Sequence, residues 1–330
     1  MSFRILILSI VLLIVACSSP IKEQSDAIFT VVSHDYKFID QLLYGDAVSE
    51  REIDILLTLP NPQYFSPPYP AIVLLHSSWG LSSQEWLYAN EFKDMGIATL
   101  AIDSFSPRDV GKTSRDQTLV SSASMIKDAY ATLEYISTNP EFDENKVAVM
   151  GFSKGGIVAM YSVIDQVRAA STNTDLRFNA HIAYYPWCGM AINNMKTTGA
   201  PVLIQAGAKD IVTPLKACRE LITEDFSQAD QSTFTIKEYS KARHAFDHPI
   251  LSRVPFPISL TAQVPANCKI EEKSRNNFYE IYNNKPIYQD NVAEVLEACS
   301  QYKGKAGYNK QAASQALLDT KEFLKLHLLD

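Results

Sequence analysis

The sequence lacks a basic stripe, an acidic tail and internal repeats, and acidic residues outnumber basic ones. Its 330 residues include 37 Asp and Glu against 30 Lys and Arg, which gives a formal net charge of −7. Proteins that bind nucleic acid neutralise phosphates with clustered Lys and Arg, so this balance argues against nucleic acid as a partner. The five cysteines also lack the spacing of a zinc site, so no metal is expected.

The chain begins with an apolar segment that is too short for a membrane-spanning helix, which needs roughly 20 residues. Arg4 precedes the largely apolar residues 5–15, and this pattern predicts a signal peptide over residues 1–16. Ala16 then places a small residue before Cys17. This ending resembles the lipobox of bacterial lipoproteins, in which cleavage precedes the cysteine and the cysteine carries the lipid. The alternative is an ordinary signal peptide cut nearby, which would leave Cys17 incidental.

Residues 17–26 are predicted to be the lipidated cysteine and a flexible tether, because they are largely polar and contain Pro20. Ser18, and not Asp, follows the cysteine. In bacterial lipoproteins this favours the outer membrane over the inner one. The resemblance therefore implies an exported protein that faces the periplasm and contacts the membrane through its N-terminal lipid only.

Four cysteines remain after Cys17, and in an oxidising compartment an even number favours two disulfides. They are Cys188, Cys218, Cys268 and Cys299. Of the three possible pairings we favour Cys188–Cys218 with Cys268–Cys299. The alternative is four buried free thiols, which a cytosolic location would favour.

Short apolar segments alternate with amphipathic ones along most of the chain, which predicts an α/β fold. The predicted strands are 27–33, 51–60, 71–75, 97–102, 146–150, 181–185, 202–206 and 233–239. The predicted helices are 83–95, 118–137, 154–165, 214–224 (with Pro214 at its first position) and 310–328. Strands that are apolar on both faces are typical of a mostly parallel, doubly wound sheet flanked by helices. We expect one domain over 27–330, in which 249–308 form a less regular insertion.

The segment Gly151–Gly155 (Gly-Phe-Ser-Lys-Gly) is the strongest functional signal, because a predicted strand precedes it and a predicted helix follows. Such a Gly-x-Ser-x-Gly turn exposes a nucleophilic serine at the carboxyl edge of the sheet, here Ser153. The flanking glycines are needed where side chains would collide with the neighbouring strand and helix. The alternative is a Gly- and Ser-rich turn of some other α/β protein. On this pattern we predict the α/β-hydrolase fold.

A serine hydroxyl needs a general base that a carboxylate orients, and in this fold the chain order is nucleophile, acid, histidine. Asp210 follows the predicted strand 202–206, although an aspartate there could also serve the turn alone. His244 follows strand 233–239 and is the predicted base. His248, four residues later, is its rival.

The developing negative charge of such a reaction requires two backbone N–H donors about 3 Å away. One is predicted to be Lys154, directly after the nucleophile. The other is predicted in the loop His76–Gly80, at Ser78, with Trp79 as the next choice. The Trp79 side chain is either a lid over the substrate pocket or ordinary packing.

Several segments resemble the dienelactone hydrolase family, in the family's order and over about residues 70–328. They are His76–Gly80, Ile102–Arg108, Gly151–Gly156, Tyr185–Cys188 and His244–Asp247. The resemblance implies Ser153, Asp210 and His244 as a catalytic triad with Ser78 and Lys154 as oxyanion donors. It also supports the pairing of Cys188 with Cys218.

The sequence departs from the family at the nucleophile. Dienelactone hydrolases proper use a cysteine and a nearby glutamate, whereas this chain has Ser153 and, at the expected glutamate position, Ser77. The departure argues against dienelactones as substrates and leaves general ester hydrolysis.

Arg108 is a candidate for recognising a substrate carboxylate, because its guanidinium can bind a carboxylate with two parallel hydrogen bonds. The alternative, which the sequence favours equally, is a salt bridge that pins its loop.

Together these patterns predict an exported serine hydrolase that cleaves a small-molecule ester or lactone through an acyl-Ser153 intermediate and needs no cofactor. A peptidase like prolyl oligopeptidase shares the fold and the triad order and is the first alternative. A hydrolase-fold lipoprotein that binds without catalysis is the second, although a complete triad argues against it.

Overall fold

A computed structural model describes residues 25–330, so the predicted signal peptide and Cys17 lie outside the described residues. In chain order the strands are β1 (Ala27–Asp35), β2 (Ser49–Thr58), β3 (Tyr69–Leu75), β4 (Ala98–Asp103), β5 (Phe142–Phe152), β6 (Ala180–Tyr184), β7 (Met190–Ala191), β8 (Val202–Gly207), β9 (Phe234–Tyr239), β10 (Ile258–Leu260), β11 (Ile270–Ser274), β12 (Asn277–Glu280), β13 (Lys285–Ile287) and β14 (Gly304–Ala306). The helices are α1 (Ile39–Tyr44), α2 (Ser83–Lys93), α3 (Ser122–Thr138), α4 (Lys154–Tyr161), α5 (Asp165–Ser171), α6 (Leu215–Asp225), α7 (Gln228–Gln231), α8 (Val292–Cys299) and α9 (Lys310–Leu324). Within residues 25–330 no helix is long and apolar enough to cross a membrane.

Eight strands form the main sheet in the order β1-β2-β4-β3-β5-β6-β8-β9. The two pairs β1–β2 and β2–β4 are antiparallel, and all later pairs are parallel. The inner strands are apolar on both faces because helices cover both; for example, residues 71–75 of β3 are fully buried. The predicted α/β-hydrolase fold is confirmed.

The structure corrects several predicted helix boundaries. The helix expected over 118–137 begins at Ser122. The helix expected over 154–165 ends at Tyr161, where the chain turns, and a separate helix begins at Asp165. Pro214 lies just outside α6 as its capping residue, with an extended backbone, so the helix begins at Leu215.

The segment 249–308 is more ordered than the sequence indicates. It contributes a two-stranded sheet of β10 and β14, and β11, β12 and β13 form a four-stranded sheet with β7. The parallel pairing of β11 with β7 joins the segment to the chain that follows β6. Its strands are three to five residues long, and such short runs carry too little alternation to be recognised from sequence.

Both disulfides have the pairing favoured from the sequence. Cys188–Cys218 ties the loop after β6 to α6, and Cys268–Cys299 ties the segment before β11 to the end of α8. The second bond therefore fixes α8 to the segment that leads into β11.

Candidate active site

Ser153 lies between β5 and α4 in a strained backbone conformation, with φ 52° and ψ −106°. A residue with a side chain rarely adopts positive φ, and strain of this kind persists only where surrounding contacts enforce it. A Cβ on Gly151 would lie 2.2 Å from the carbonyl oxygen of Gly155, and one on Gly155 would lie 2.3 Å from that of Leu75. Glycine is therefore required at both positions, and the turn holds the Ser153 side chain at the carboxyl edge of the sheet.

The structure brings Ser153, His244 and Asp210 together in one chain of hydrogen bonds. His244 Nε2 lies 3.0 Å from Ser153 Oγ, and His244 Nδ1 lies 2.7 Å from Asp210 Oδ2. The other carboxylate oxygen of Asp210 accepts the backbone N–H groups of Val212 and Thr213, at 2.7 and 3.0 Å. Asp210 thus fulfils both roles considered from the sequence, because it shapes its own turn and faces the imidazole.

Thr213 and Tyr185 contact the same imidazole, and neither is among the site residues predicted from the sequence. The Thr213 hydroxyl lies 3.1 Å from Asp210 Oδ2, 3.2 Å from His244 Nδ1 and 2.9 Å from the carbonyl oxygen of Tyr185. The Tyr185 ring packs against His244 with 4.8 Å between centroids. A threonine three residues after an aspartate is common in turns, so the sequence does not identify Thr213 as a contact of His244.

Tyr185 is in turn held by the buried carboxylate of Asp247. Asp247 accepts hydrogen bonds from the side chains of Tyr185, Tyr88 and Gln84, at 2.8–2.9 Å. Burial raises the pKa of Asp247, although these three donors oppose the change. This network lies behind the His244 ring and fixes the aromatic wall against which that ring packs.

His248, the rival base, makes different contacts. Its Nδ1 faces the backbone N–H of Ile250 at 3.3 Å, and its Nε2 lies 3.4 Å from Ser82 Oγ. Burial lowers its pKa to about 4. Trp79 packs edge-on against the His248 ring at 5.4 Å, and both side chains line the cavity that Ser153 faces. The structure therefore places His244, and not His248, against the serine.

The loop containing Ser78 is tied to the residue that follows the nucleophile through Gln117. Ser78 Oγ donates to Gln117 Oε1 at 3.0 Å, and Lys154 Nζ donates to Gln117 Oε1 at 3.2 Å and to its carbonyl oxygen at 2.6 Å. The Ser78 carbonyl also accepts the N–H of Thr113 at 2.9 Å. The two predicted oxyanion donors thus lie on segments that one glutamine connects.

Lys154 is buried, with 3% of its surface exposed. Burial lowers its pKa to about 7, since removing an ammonium from water disfavours the charged form. The charge of Asp116 opposes this change.

Replacing Lys154 with Met is expected to change how stability depends on pH. The side chain of a lysine in an unfolded chain has a pKa of about 10.4. Between about pH 7 and that value the unfolded state binds more protons than the folded state, so the free energy of unfolding of the wild type rises with pH. Lys154→Met removes this contribution. Urea denaturation should therefore show the wild type gaining stability relative to the variant as the pH rises through this window.

The matched control for that experiment is Lys216→Met, because the Lys216 side chain is 83% exposed. The difference in the free energy of unfolding between Lys216→Met and the wild type should stay constant across the same pH range. A constant difference for Lys154→Met as well would contradict a lowered pKa of Lys154.

The family model of the dienelactone hydrolases matches residues 53–284, which is more than half of the chain. The chain belongs to the dienelactone hydrolase family. Membership assigns it to the hydrolases. No curated protein sequence matches it.

Solved structures are similar to this dienelactone hydrolase family member at low sequence identity. A Klebsiella pneumoniae protein assigned to the dienelactone hydrolases is 15% identical with a TM-score of 0.51, over 91% of this chain and 99% of its own. A dienelactone-hydrolase-like promiscuous phosphotriesterase from metagenomic libraries is 14% identical with a TM-score of 0.48, over 91% and 98%. Esterase 2 of Thermogutta terrifontis, phosphonylated by cyclosarin, is 17% identical with a TM-score of 0.44, over 59% and 80%.

Arg108 of this dienelactone hydrolase family member pins its loop, so the predicted role in carboxylate recognition is not supported. Its guanidinium donates twice to Asp128, at 2.8 and 2.9 Å, and once to Asp35, at 2.6 Å. A further N–H of Arg108 bonds the carbonyl oxygen of Ser104 at 2.7 Å. The side chain is 6% exposed and is not among the residues that line the cavity at Ser153. Its hydrogen-bonding capacity is used within the fold.

Among residues 25–330 no group of three or more His, Cys, Asp or Glu side chains is arranged to hold a metal ion.

Proposed function

We propose that this protein is a serine hydrolase that cleaves an ester or lactone through a covalent acyl-Ser153 intermediate. The observation that carries the proposal is the continuous chain from Ser153 Oγ to His244 Nε2, at 3.0 Å, and from His244 Nδ1 to Asp210 Oδ2, at 2.7 Å. A hydroxyl, an imidazole and a carboxylate in this order form the arrangement that activates serine for attack on an acyl carbon.

In the first step Ser153 Oγ attacks the acyl carbon while its proton passes to His244 Nε2. The tetrahedral intermediate then collapses, the bond to the alcohol breaks, and His244 gives the proton to the departing oxygen. In the second step water attacks the acyl carbon and loses a proton to His244. The second tetrahedral intermediate then collapses, the bond between the acyl carbon and Ser153 Oγ breaks, His244 returns the proton to Oγ, and the carboxylic acid departs. Asp210 orients the imidazole and stabilises its charged form throughout.

The oxyanion of each tetrahedral intermediate is assigned to the backbone N–H groups of Lys154 and Ser78. Lys154 supplies the first N–H of α4, and a helix N-terminus favours negative charge. The hydrogen bonds that join Ser78 and Lys154 to Gln117 support this assignment, since they hold the two donors in a fixed relation before substrate binds.

We further propose that the protein is exported and anchored by a lipid on Cys17, facing the periplasm from the outer membrane. Two disulfides within residues 25–330 support export, because such bonds persist in oxidising compartments. Mass spectrometry of protein extracted from membranes should detect the lipid on Cys17; an unmodified cysteine would refute the anchor.

A fluorophosphonate probe tests the enzymatic proposal directly. Such a probe loses fluoride and phosphonylates an activated serine, so peptide mapping should place the label on Ser153. Boiled protein serves as the control for labelling without the folded site. Absence of label from the folded protein would favour the binding lipoprotein. Parallel assays with ester, lactone and peptide substrates would then separate an esterase from a peptidase.

A further inference from the structure

A cavity of about 150 Å³ leads from Ser153 into the molecule. Close to the serine it is bounded by polar groups, including Ser78 and His244, and its lining also includes Lys37, which is exposed to solvent. Much of the remaining wall is apolar. We name this part the apolar arm; it is lined by Ala123, Ile126, Ile157, Met190, Ile270 and Leu296.

The cavity follows one face of α4 away from the nucleophile. Lys154, Ile157 and Tyr161 all line it, and their spacing of three and four residues places them on the same side of the helix. Ile157 is half-buried although Gly156 and Val158 beside it are buried, because its side chain faces the open cavity. With a rise of about 1.5 Å per residue, the backbone advances roughly 12 Å from Ser153 to Tyr161. A space that extends along a helix suits a chain better than a compact ring.

The side chains at the end of the cavity farthest from Ser153 present apolar surface to a ligand. The Tyr161 hydroxyl is engaged with both backbone groups of Met190, at 2.7 Å to its carbonyl oxygen and 3.0 Å to its N–H, so the tyrosine presents its ring. Met190 pairs with Ile270 across β7 and β11. Leu296 comes from α8, which the Cys268–Cys299 disulfide fixes. The segment 249–308 therefore closes the apolar arm.

We propose that the apolar arm binds an acyl chain of up to about six carbons in an ester substrate; this rests on the proposed acyl-Ser153 chemistry. An apolar cavity of about 150 Å³ in another protein holds benzene, a group of six carbons, which sets the scale of the occupant. We assign the arm to the acyl chain and not to the alcohol, because the arm is closed at its far end. The alcohol must leave after the first step, whereas the acyl chain stays attached to Ser153 while water attacks.

A series of p-nitrophenyl esters with the purified full-length protein measures this preference. Burial of one methylene changes kcat/KM by roughly fourfold, so hexanoate should exceed acetate on the order of 10²-fold. Equal turnover of acetate and hexanoate would overturn the proposal and leave ester hydrolysis intact. Turnover of lactones alone would also overturn the proposal, whereas no turnover of any ester or lactone would overturn the proposed function on which it rests.

Two isomeric esters test whether the apolar arm binds the acyl chain or the alcohol. Ethyl hexanoate places the long chain on the acyl side and hexyl acetate places it on the alcohol side. Ethyl hexanoate is expected to have the higher kcat/KM, by at least roughly tenfold; a preference for hexyl acetate would overturn the assignment of the arm to the acyl chain.

Tryptophan substitutions that fill the apolar arm should remove the preference for the hexanoate ester over the acetate ester. Ile157→Trp and Leu296→Trp place an indole in it from opposite sides, and either should lower the hexanoate-to-acetate ratio from about 10² to near one. Leu318→Trp, at an exposed position of α9, is the control and should keep the wild-type ratio. Circular dichroism verifies that each variant folds. If Ile157→Trp does not fold, Leu296→Trp, at a half-buried position of α8, carries the test. A wild-type ratio in a folded filled variant would overturn the proposal.

Discussion

Ser153→Ala is expected to lower kcat for p-nitrophenyl acetate on the order of 10⁶-fold while the protein remains folded. Loss of the nucleophile in a serine hydrolase removes the acyl-enzyme route and leaves only the small contribution of the oxyanion donors and substrate binding. The Ser153 hydroxyl contributes to the site through its 3.0 Å contact with His244, so its loss leaves the packing around α4 intact. Steady-state turnover and thermal unfolding of the same preparation measure both parts of the prediction.

Ser162→Ala is the matched control for that variant. Ser162 is buried and lies directly after the last residue of α4, where its hydroxyl donates to the carbonyl oxygen of Val158 at 2.7 Å. This change deletes a serine hydroxyl at the other end of the same helix, away from the cavity lining, and should leave turnover close to that of the wild type. Undiminished activity in folded Ser153→Ala would eliminate Ser153 as the nucleophile.

Much of the fold could be predicted from the sequence because the signals are local. A strand buried on both faces must be apolar throughout, as in β3. The glycines of the turn at Ser153 are required because an added Cβ would lie as close as 2.2 Å to a backbone atom. Asp210 and His244 could be predicted from chain order, since parallel strands bring their carboxyl ends to one edge of the sheet.

Other features depend on contacts between distant parts of the chain, which local patterns do not record. Arg108 meets Asp35, 73 residues earlier, and the choice between a structural and a binding role depended on that contact. Lys154 is adjacent to Ser153 in sequence, yet its buried side chain donates a hydrogen bond to the carbonyl oxygen of Gln117, 37 residues away. The apolar arm is likewise assembled from α3, α4, β7, β11 and α8, whose apolar residues read as ordinary core when taken one element at a time.

The proposed mechanism requires more of the base and the acid than the cysteine mechanism of the resembled family does. A free thiol has a pKa of roughly 8.5 and is partly ionised near neutral pH, whereas a serine hydroxyl must lose its proton during attack. In the proposed mechanism Ser153 depends on His244 to accept that proton. His244 in turn depends on Asp210 to hold its own proton on Nδ1 and leave Nε2 free, so the carboxylate is the next residue to test.

Asp210→Asn is expected to lower kcat on the order of 10⁴-fold with little change in KM. The asparagine oxygen can still accept the N–H groups of Val212 and Thr213, so the turn is retained. The amide nitrogen then replaces the oxygen that lies 2.7 Å from His244 Nδ1, and it donates a hydrogen bond where the carboxylate accepted one. The imidazole is driven to carry its proton on Nε2, where it can no longer accept the proton of Ser153.

Asp319→Asn is the control, because Asp319 is also a buried carboxylate that accepts a hydrogen bond, from Tyr239 at 2.7 Å, but it lies on α9 outside the cavity lining. Its turnover should remain within about threefold of the wild type, since it touches no reacting group. A loss of less than about tenfold in folded Asp210→Asn would contradict the assigned role. A large loss with the turn retained would show that the carboxylate acts through the imidazole, since the turn itself would then be excluded as the cause.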